Sequence, residues 1–158
     1  MSVESVKNHL KKFNMEDRII TVEGSSATVA LAAKALGCKE DEIAKTLSFR
    51  LKDKCILVVV SGESKIDNSK YKKVFKEKAH MLAFDEVNDI IGHPVGGVCP
   101  FGVNEGIEIY LDESLKKYEY VYPACGSVNN AIKITIPELE KVTNYTDWVD
   151  VVKEKTDE

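Results

Sequence analysis

Ser48-Phe49-Arg50-Leu51-Lys52-Asp53-Lys54-Cys55-Ile56-Leu57-Val58-Val59-Val60 is the stretch on which the fold turns. A polar Lys52-Asp53-Lys54 link separates two runs of strand formers, so the spacing predicts a β-hairpin with strands Ser48 to Leu51 and Cys55 to Val60. The second run is apolar without alternation, as a strand buried on both faces requires, and this places the hairpin at the centre of a sheet. The same run is far too short to cross a bilayer. Just upstream, a short helix is expected to begin near Glu40 and to carry Ile43, Ala44 and Leu47 inward. Lys45 would then sit on its last turn or at the junction with the strand.

Moving outward, Val3, Val6, Leu10 and Phe13 recur at helical spacing and predict an N-terminal amphipathic helix ending near Asn14. Ile19 to Val22 reads as a short strand. Ser25-Ser26 offers capping hydroxyls to a second helix through Val29, Leu31, Ala32, Ala35 and Leu36, which Gly37 stops. After the hairpin comes a lysine-rich helix, then a brief strand at Met81 to Ala83 and a helix from a capping Asp85 to Ile91, closed by Gly92. Three further strands are expected at Ile107 to Leu111, Tyr118 to Tyr122 and Ala131 to Ile136, with a helical turn over Asp112 to Leu115. Pro137 opens a last short helix. Strands and helices mix without strict alternation, so the class is α+β, with helices packed around a mixed, partly antiparallel sheet.

The chain has 158 residues, 44% of them hydrophobic and 30% charged, which fits one globular domain over 1–158, with disorder only in the last few residues. The N-terminus lacks the basic-then-apolar design of a signal peptide, so a soluble cytoplasmic protein with free thiols is expected. Four cysteines, at 38, 55, 99 and 125, form no C-x-x-C pair, and His9, His80 and His93 are scattered. Neither a zinc site, a thioredoxin-like redox motif nor a serine triad is suggested. The formal charge of −4 argues against a non-specific nucleic-acid coat but permits a local basic face. Lys65, Lys70, Lys72, Lys73, Lys76 and Lys78 form such a face, whose plainer reading is a solvated helix. Tyr71 and Phe75 read as that helix's buried stripe rather than as base-stacking platforms.

Gly96-Gly97-Val98-Cys99-Pro100-Phe101-Gly102 is the most unusual segment, since glycines free the backbone while Pro100 fixes one φ and removes a donor. Such a loop can turn backbone N–H groups toward a ligand oxygen, as an oxyanion hole does. A tight helix-to-strand connection uses the same residue types, and on pattern alone that reading is favoured. Lys45 stands where its stem can be buried and its ammonium turned into a cleft, to hold a phosphate, steer a carbonyl or act as a base. For one lysine among many, a snorkelling surface role is the plainer reading. Gly126-Ser127-Val128-Asn129-Asn130 suits a turn, or a polar wall that reads a substrate's hydroxyl or amino groups. Cys99 and Cys125 have no histidine or lysine close in sequence and read as small apolar fillers, not nucleophiles.

Together these pieces resemble the YbaK family of prolyl-tRNA synthetase-associated editing domains. The resemblance runs over nearly the whole chain, through Thr28 with Ala32-Ala33 and Leu36-Gly37, then Ile43-Ala44-Lys45-Thr46-Leu47, then Val60-Ser61-Gly62 with Ile66-Asp67. It continues in the Gly96 to Gly102 loop, in Gly126-Ser127 and in Pro137-Glu138-Leu139. It implies a mixed, mostly antiparallel, barrel-like sheet surrounded by helices, and a free-standing hydrolase that removes a wrong amino acid from the 3′-terminal adenosine of tRNA. Lys45 matches the family's functional lysine, and Gly96, Gly97, Val98, Cys99 and Pro100 match its G-x-x-x-P loop. Thr46, Phe101, Gly102, Gly126, Ser127, Asn129 and Asn130 are then the candidates for substrate contact.

On that resemblance Lys45 would orient the acceptor end while loop amides support the oxyanion and water attacks, assisted by a ribose hydroxyl. Positioning would carry the catalysis, with no metal and no cofactor. The implied partners are the acceptor end of mischarged tRNA, of the tRNA(Pro) type, and a synthetase that delivers it, with no membrane and a monomer or weak homodimer. Members acting on cysteinyl-tRNA carry an acidic residue at or near the position of Ala131, and an aromatic and a histidine where this chain has Val22-Glu23-Gly24-Ser25. Alanine, serine or threonine on the wrong tRNA therefore stays open. So do a non-catalytic module that binds aminoacyl-tRNA or a synthetase, and a hydrolase of small aminoacyl esters or adenylates.

Overall fold

The hairpin forms where the sequence predicts it, but its first strand is twice as long. A computed structural model describes residues 2–154; the last few residues, where disorder is expected, lie outside them. In chain order the elements are α1 (Ser2–Lys11), β1 (Ile19–Thr21), α2 (Val29–Leu36), β2 (Ile43–Arg50) and β3 (Cys55–Ser61). Then come α3 (Asn68–Phe75), α4 (Val87–Ile91), β4 (Glu108–Asp112), β5 (Tyr120–Pro123), β6 (Asn130–Ile132), β7 (Ile134–Thr135), α5 (Ile136–Val142) and β8 (Asp147–Val149).

A six-stranded sheet runs β7-β5-β2-β3-β4-β8, and β1 pairs with β6 in a second, two-stranded sheet. The hairpin strands hold the two central places, with register from Ala44↔Ser61 to Arg50↔Cys55. Ile56, Leu57, Val58, Val59 and Val60 are all fully buried, each contributing roughly 1.5–3 kcal/mol by leaving water. Leu57 and Val59 join the larger core with α1 and α5, while Ile56, Val58 and Val60 pack under Tyr71 of α3. The class is α+β with a mixed sheet, as expected. Its antiparallel share is smaller than the resemblance implies, because β2–β5, β3–β4 and β4–β8 are parallel. Long crossovers through α3, α4 and α5 permit these pairings.

Several boundaries differ from expectation for physical reasons. The helix expected from Glu40 is a single 3₁₀ turn, Glu40–Glu42, and Ile43 to Leu47 continue β2, since strand neighbours exist on both sides: Val58 to Ser61 on one and Tyr122 with Pro123 on the other. Lys45 is therefore a strand residue. Met81 makes one isolated bridge to Phe49 rather than a strand. The run Ala131 to Ile136 breaks at Lys133 into β6 and β7, which serve different sheets. Thr28, not Ser25 or Ser26, caps α2 through Leu31 N–H. Asp85 caps nothing; α4 follows Glu86, whose carboxylate accepts from Ala83 N–H at 2.9 Å. Strand β8 was not expected. Gly37 at φ 71° ends α2, and the Thr135–Glu138 capping box starts α5, both in line with the residue pattern.

Candidate functional site

The pairing of β2 with β5 stops at Ala44↔Pro123, and the next bridge on that side of β2 is Phe49↔Met81. Between them, Lys45 to Ser48 border an opening in the sheet. A cavity of about 350 Å³ fills it, walled by β2, α2, the segment 81–87, the loop 95–98 and the β5–β6 region. Most of its wall is apolar, with small residues such as Ala32, Ala44, Gly96 and Ala131 standing among larger ones such as Leu36 and Tyr122. Among the described residues that line it, Lys45 is the only charged one.

Two polar atoms in this wall stand out. Thr46 Oγ1 and Asn130 Oδ1 are buried without a hydrogen-bond partner, and both residues line the cavity. An unmet buried polar group costs roughly 1–3 kcal/mol. Backbone pairing places each of them: Thr46 opposite Val59 and Asn130 opposite Thr21.

Lys45 is half-buried, and its register opposite Val60 puts it on the same face as Leu47 and Phe49. Its Nζ donates to the Ser64 carbonyl at 2.5 Å. Burial pushes its pKa down, the Asp41 carboxylate offsets part of that, and Lys65 adds to the lowering. Asp41 is itself buried and accepts from Lys117 Nζ at 2.6 Å, Tyr118 OH at 2.9 Å and the Glu63 amide at 3.0 Å. Ser61 Oγ and Ser64 Oγ, 2.5 Å apart, hydrogen-bond each other. An ammonium has three donors, and among the described residues one of them is held by the Ser64 carbonyl.

The glycine loop is held by backbone contacts. Gly97 N–H donates to the Pro94 carbonyl at 2.9 Å, and the Gly97 carbonyl accepts from Gly126 N–H at 3.1 Å. A Cβ on Gly97 would lie 2.5 Å from Gly126 C and Ser127 N, so only glycine lets these two loops meet. Gly96, at φ 92°, faces Val128 and Ala27. No hydrogen bond among the described residues takes up the amides of Gly96 or Val98. His93 braces the loop from behind: its Nε2 donates to the Phe101 carbonyl and its Nδ1 accepts from Ser2 Oγ, both at 2.6 Å. Burial pushes its pKa down, and the Phe101 contact offsets part of that.

Of the residues singled out in the sequence, Lys45, Thr46, Gly96, Val98 and Asn130 line the one cavity. Gly97 lies behind it, against Gly126. Cys99, Pro100 and Phe101 are buried, with Cys99 and Phe101 in the main core, and Gly102 and Gly126 pack on Ser5 and Ser2 of α1. Ser127 and Asn129 bond each other across their own turn at 2.8 Å. Sequence reasoning missed the walls from α2 and from Met81 to Val87, and the Asp41 network behind Lys45. The α2 wall had a signal in its small Ala32 and Ala33, whereas the others depend on contacts between distant segments.

The sequence matches the aminoacyl-tRNA editing domain over residues 23–142, a span that includes all five cavity residues named above. It is 46% identical over 155 residues to the uncharacterized protein YwhH of Bacillus subtilis (strain 168), covering 98% of this chain and 99% of that protein. It is 27% identical over 117 residues to a proline–tRNA ligase of Bacillus cereus (strain AH820), covering 71% of this chain but 20% of the ligase. The chain thus spans about a fifth of that relative's length. A solved structure described as a candidate trans-editing enzyme for prolyl tRNA synthetase superposes with a TM-score of 0.87 at 27% identity, covering 97% of this chain and 98% of that one. With a profile match across well over half of its length, this chain belongs to the aminoacyl-tRNA editing domain family.

Proposed function

We propose that this protein hydrolyses the ester joining a small amino acid to the 3′-terminal adenosine of a wrongly charged tRNA, with tRNA(Pro)-type substrates foremost. The observation that carries the reading is the cavity itself, which joins Lys45 to Gly96 and Val98 beside the unpartnered Thr46 Oγ1 and Asn130 Oδ1. Small wall residues suit a small side chain. Asn130 Oδ1 and Thr46 Oγ1 suit the α-ammonium or a hydroxyl of the aminoacyl group. The likeness to a region of proline–tRNA ligase supports the tRNA class.

In this reading Lys45 uses its remaining donors on the ester carbonyl or the terminal phosphate, strengthened by a site partly withdrawn from water. The amides of Gly96 and Val98 face the developing oxyanion, while Gly97 N–H stays in its turn with Pro94. Among the described residues no carboxylate or histidine lines the cavity to act as a base, so in this reading the attacking water is oriented by the substrate's own ribose hydroxyl and the wall. Incubation with a panel of mischarged tRNAs tests this: at least one should lose its amino acid. Lys45→Ala should slow that reaction by about 10²–10³-fold, the usual loss for one oxyanion-site donor. Unchanged half-lives of every aminoacyl ester in the panel would sink the proposal.

A further inference from the structure

Three apolar side chains in the cavity wall are exposed to water. Phe84 is 79% exposed, Met81 59% and Val95 43%, and all three belong to the cavity wall. Isolated exposed apolar residues are ordinary, but three around one opening make a patch with a purpose other than packing. With a small aminoacyl group seated among Ala32, Ala44 and Ala131, the mouth is the part of the cavity left for the nucleobase.

We infer that Phe84, flanked by Met81, is the platform on which the terminal base of the tRNA's single-stranded 3′ end stacks. This rests on the function proposed above and names the surface that holds the partner. Single-strand recognition combines an aromatic face for the base with cations for the backbone. The cations lie on the segment leading into the patch: Lys72, Lys73, Lys76 and Lys78 are exposed along α3 and the turn that runs on to Met81. Lys70, by contrast, is tied to Asp150 and the Val152 carbonyl. The aromatics interleaved with these lysines cannot serve. Tyr71 is fully buried, and Phe75 packs on Tyr71 and Tyr110 with ring centroids 4.7 and 5.0 Å away.

Because Phe84 is so exposed, truncating it leaves the core intact. For alanyl-tRNA(Pro), Phe84→Ala should lower kcat/KM about tenfold, mainly through KM, and Phe84→Trp should stay within about twofold of the parent, since any aromatic face stacks. An uncharged CCA-ended oligonucleotide with 2-aminopurine as its last base reads the stack directly. Its fluorescence should be quenched by the parent protein and by little or none with Phe84→Ala. Equal quenching by both, or equal kcat/KM, overturns the platform. If the parent deacylates no aminoacyl-tRNA, the functional reading fails, and the quenching comparison still decides for or against the platform on its own.

Discussion

Lys45 separates two polar regions of opposite character. Behind it, Asp41 is only 2% exposed, yet Lys117, Tyr118 and the Glu63 amide all donate to it, and Ser61 and Ser64 bond each other. In front, Thr46 Oγ1 and Asn130 Oδ1 are buried with no partner. The region behind is complete without any ligand and explains how a lysine is held in place. The region in front leaves two buried polar atoms unmatched beside the cavity, so the two sides of Lys45 differ in how completely their polar groups are paired.

Asp41 is where the comparison breaks with the largest effect. Burial alone would raise its carboxyl, but Lys117, Glu63, Tyr118 and Ser61 together hold it down to about 2 from 3.8. A depressed folded pKa stabilises the protein at pH values above the unfolded one, and that stabilisation is lost as pH falls from about 4 toward about 2. At 1.36 kcal/mol per pKa unit, the contribution at neutral pH is roughly 2 kcal/mol. Urea denaturation of Asp41→Asn should therefore show a loss of that size at pH 7 and a narrowing gap from the parent below pH 4. A gap that stays constant down to pH 2.5 would mean the charge is not what stabilises this corner.

The pair Thr46→Val and Ser61→Ala sharpens the contrast. Replacing the unpartnered Thr46 hydroxyl by a methyl of the same shape should leave stability within about 0.5 kcal/mol or raise it, because no hydrogen bond is lost. The same change should cut kcat/KM on aminoacyl-tRNA by about tenfold, the equivalent of one ligand hydrogen bond. Ser61→Ala removes a hydroxyl that is bonded to Ser64 and Asp41 and should destabilise by about 1 kcal/mol. Should Thr46→Val prove the less stable of the two, the cavity wall would be structural after all.

Local pattern and tertiary placement explain what could be read in the sequence. The hairpin, the Gly37 stop and the buried stripe of α3 follow from residues near one another in the chain, and these were legible. Lys45 was misplaced onto a helix because Ile43, Ala44 and Leu47 satisfy helical spacing, while the alternation Ile43, Leu47, Phe49 is interrupted by the lysine itself. Only the neighbours on either side, Val60 in β3 and Tyr122 in β5, resolve that ambiguity. Strand β8 escaped notice because three residues beginning with an aspartate carry little pattern, and β4 supplies its reason to be extended. The candidate site was legible as two segments, at Lys45 and at Gly96, without the cavity that joins them. Asn130 reaches the cavity through a pairing with Thr21, and Phe84 is marked out only by its exposure beside it.

The smallest effect is expected at Cys99, the most chemically suggestive residue of the loop. Its side chain is fully buried, and burial raises the thiol to about 12, against contacts with the Phe101 and Gly126 backbone. A thiol at that value is about one part in 10⁵ thiolate at pH 7, too little for a nucleophile. Its sulfur lies 3.8 Å from the Phe101 carbonyl, on the core side of a loop whose other side borders the cavity at Gly96 and Val98. Cys99→Ala should therefore keep kcat within about twofold at every pH, since a loop acting through its backbone does not depend on this side chain. A loss approaching that of Lys45→Ala would require the sulfur to reach the substrate, and hence a rearrangement that turns the loop out of the core.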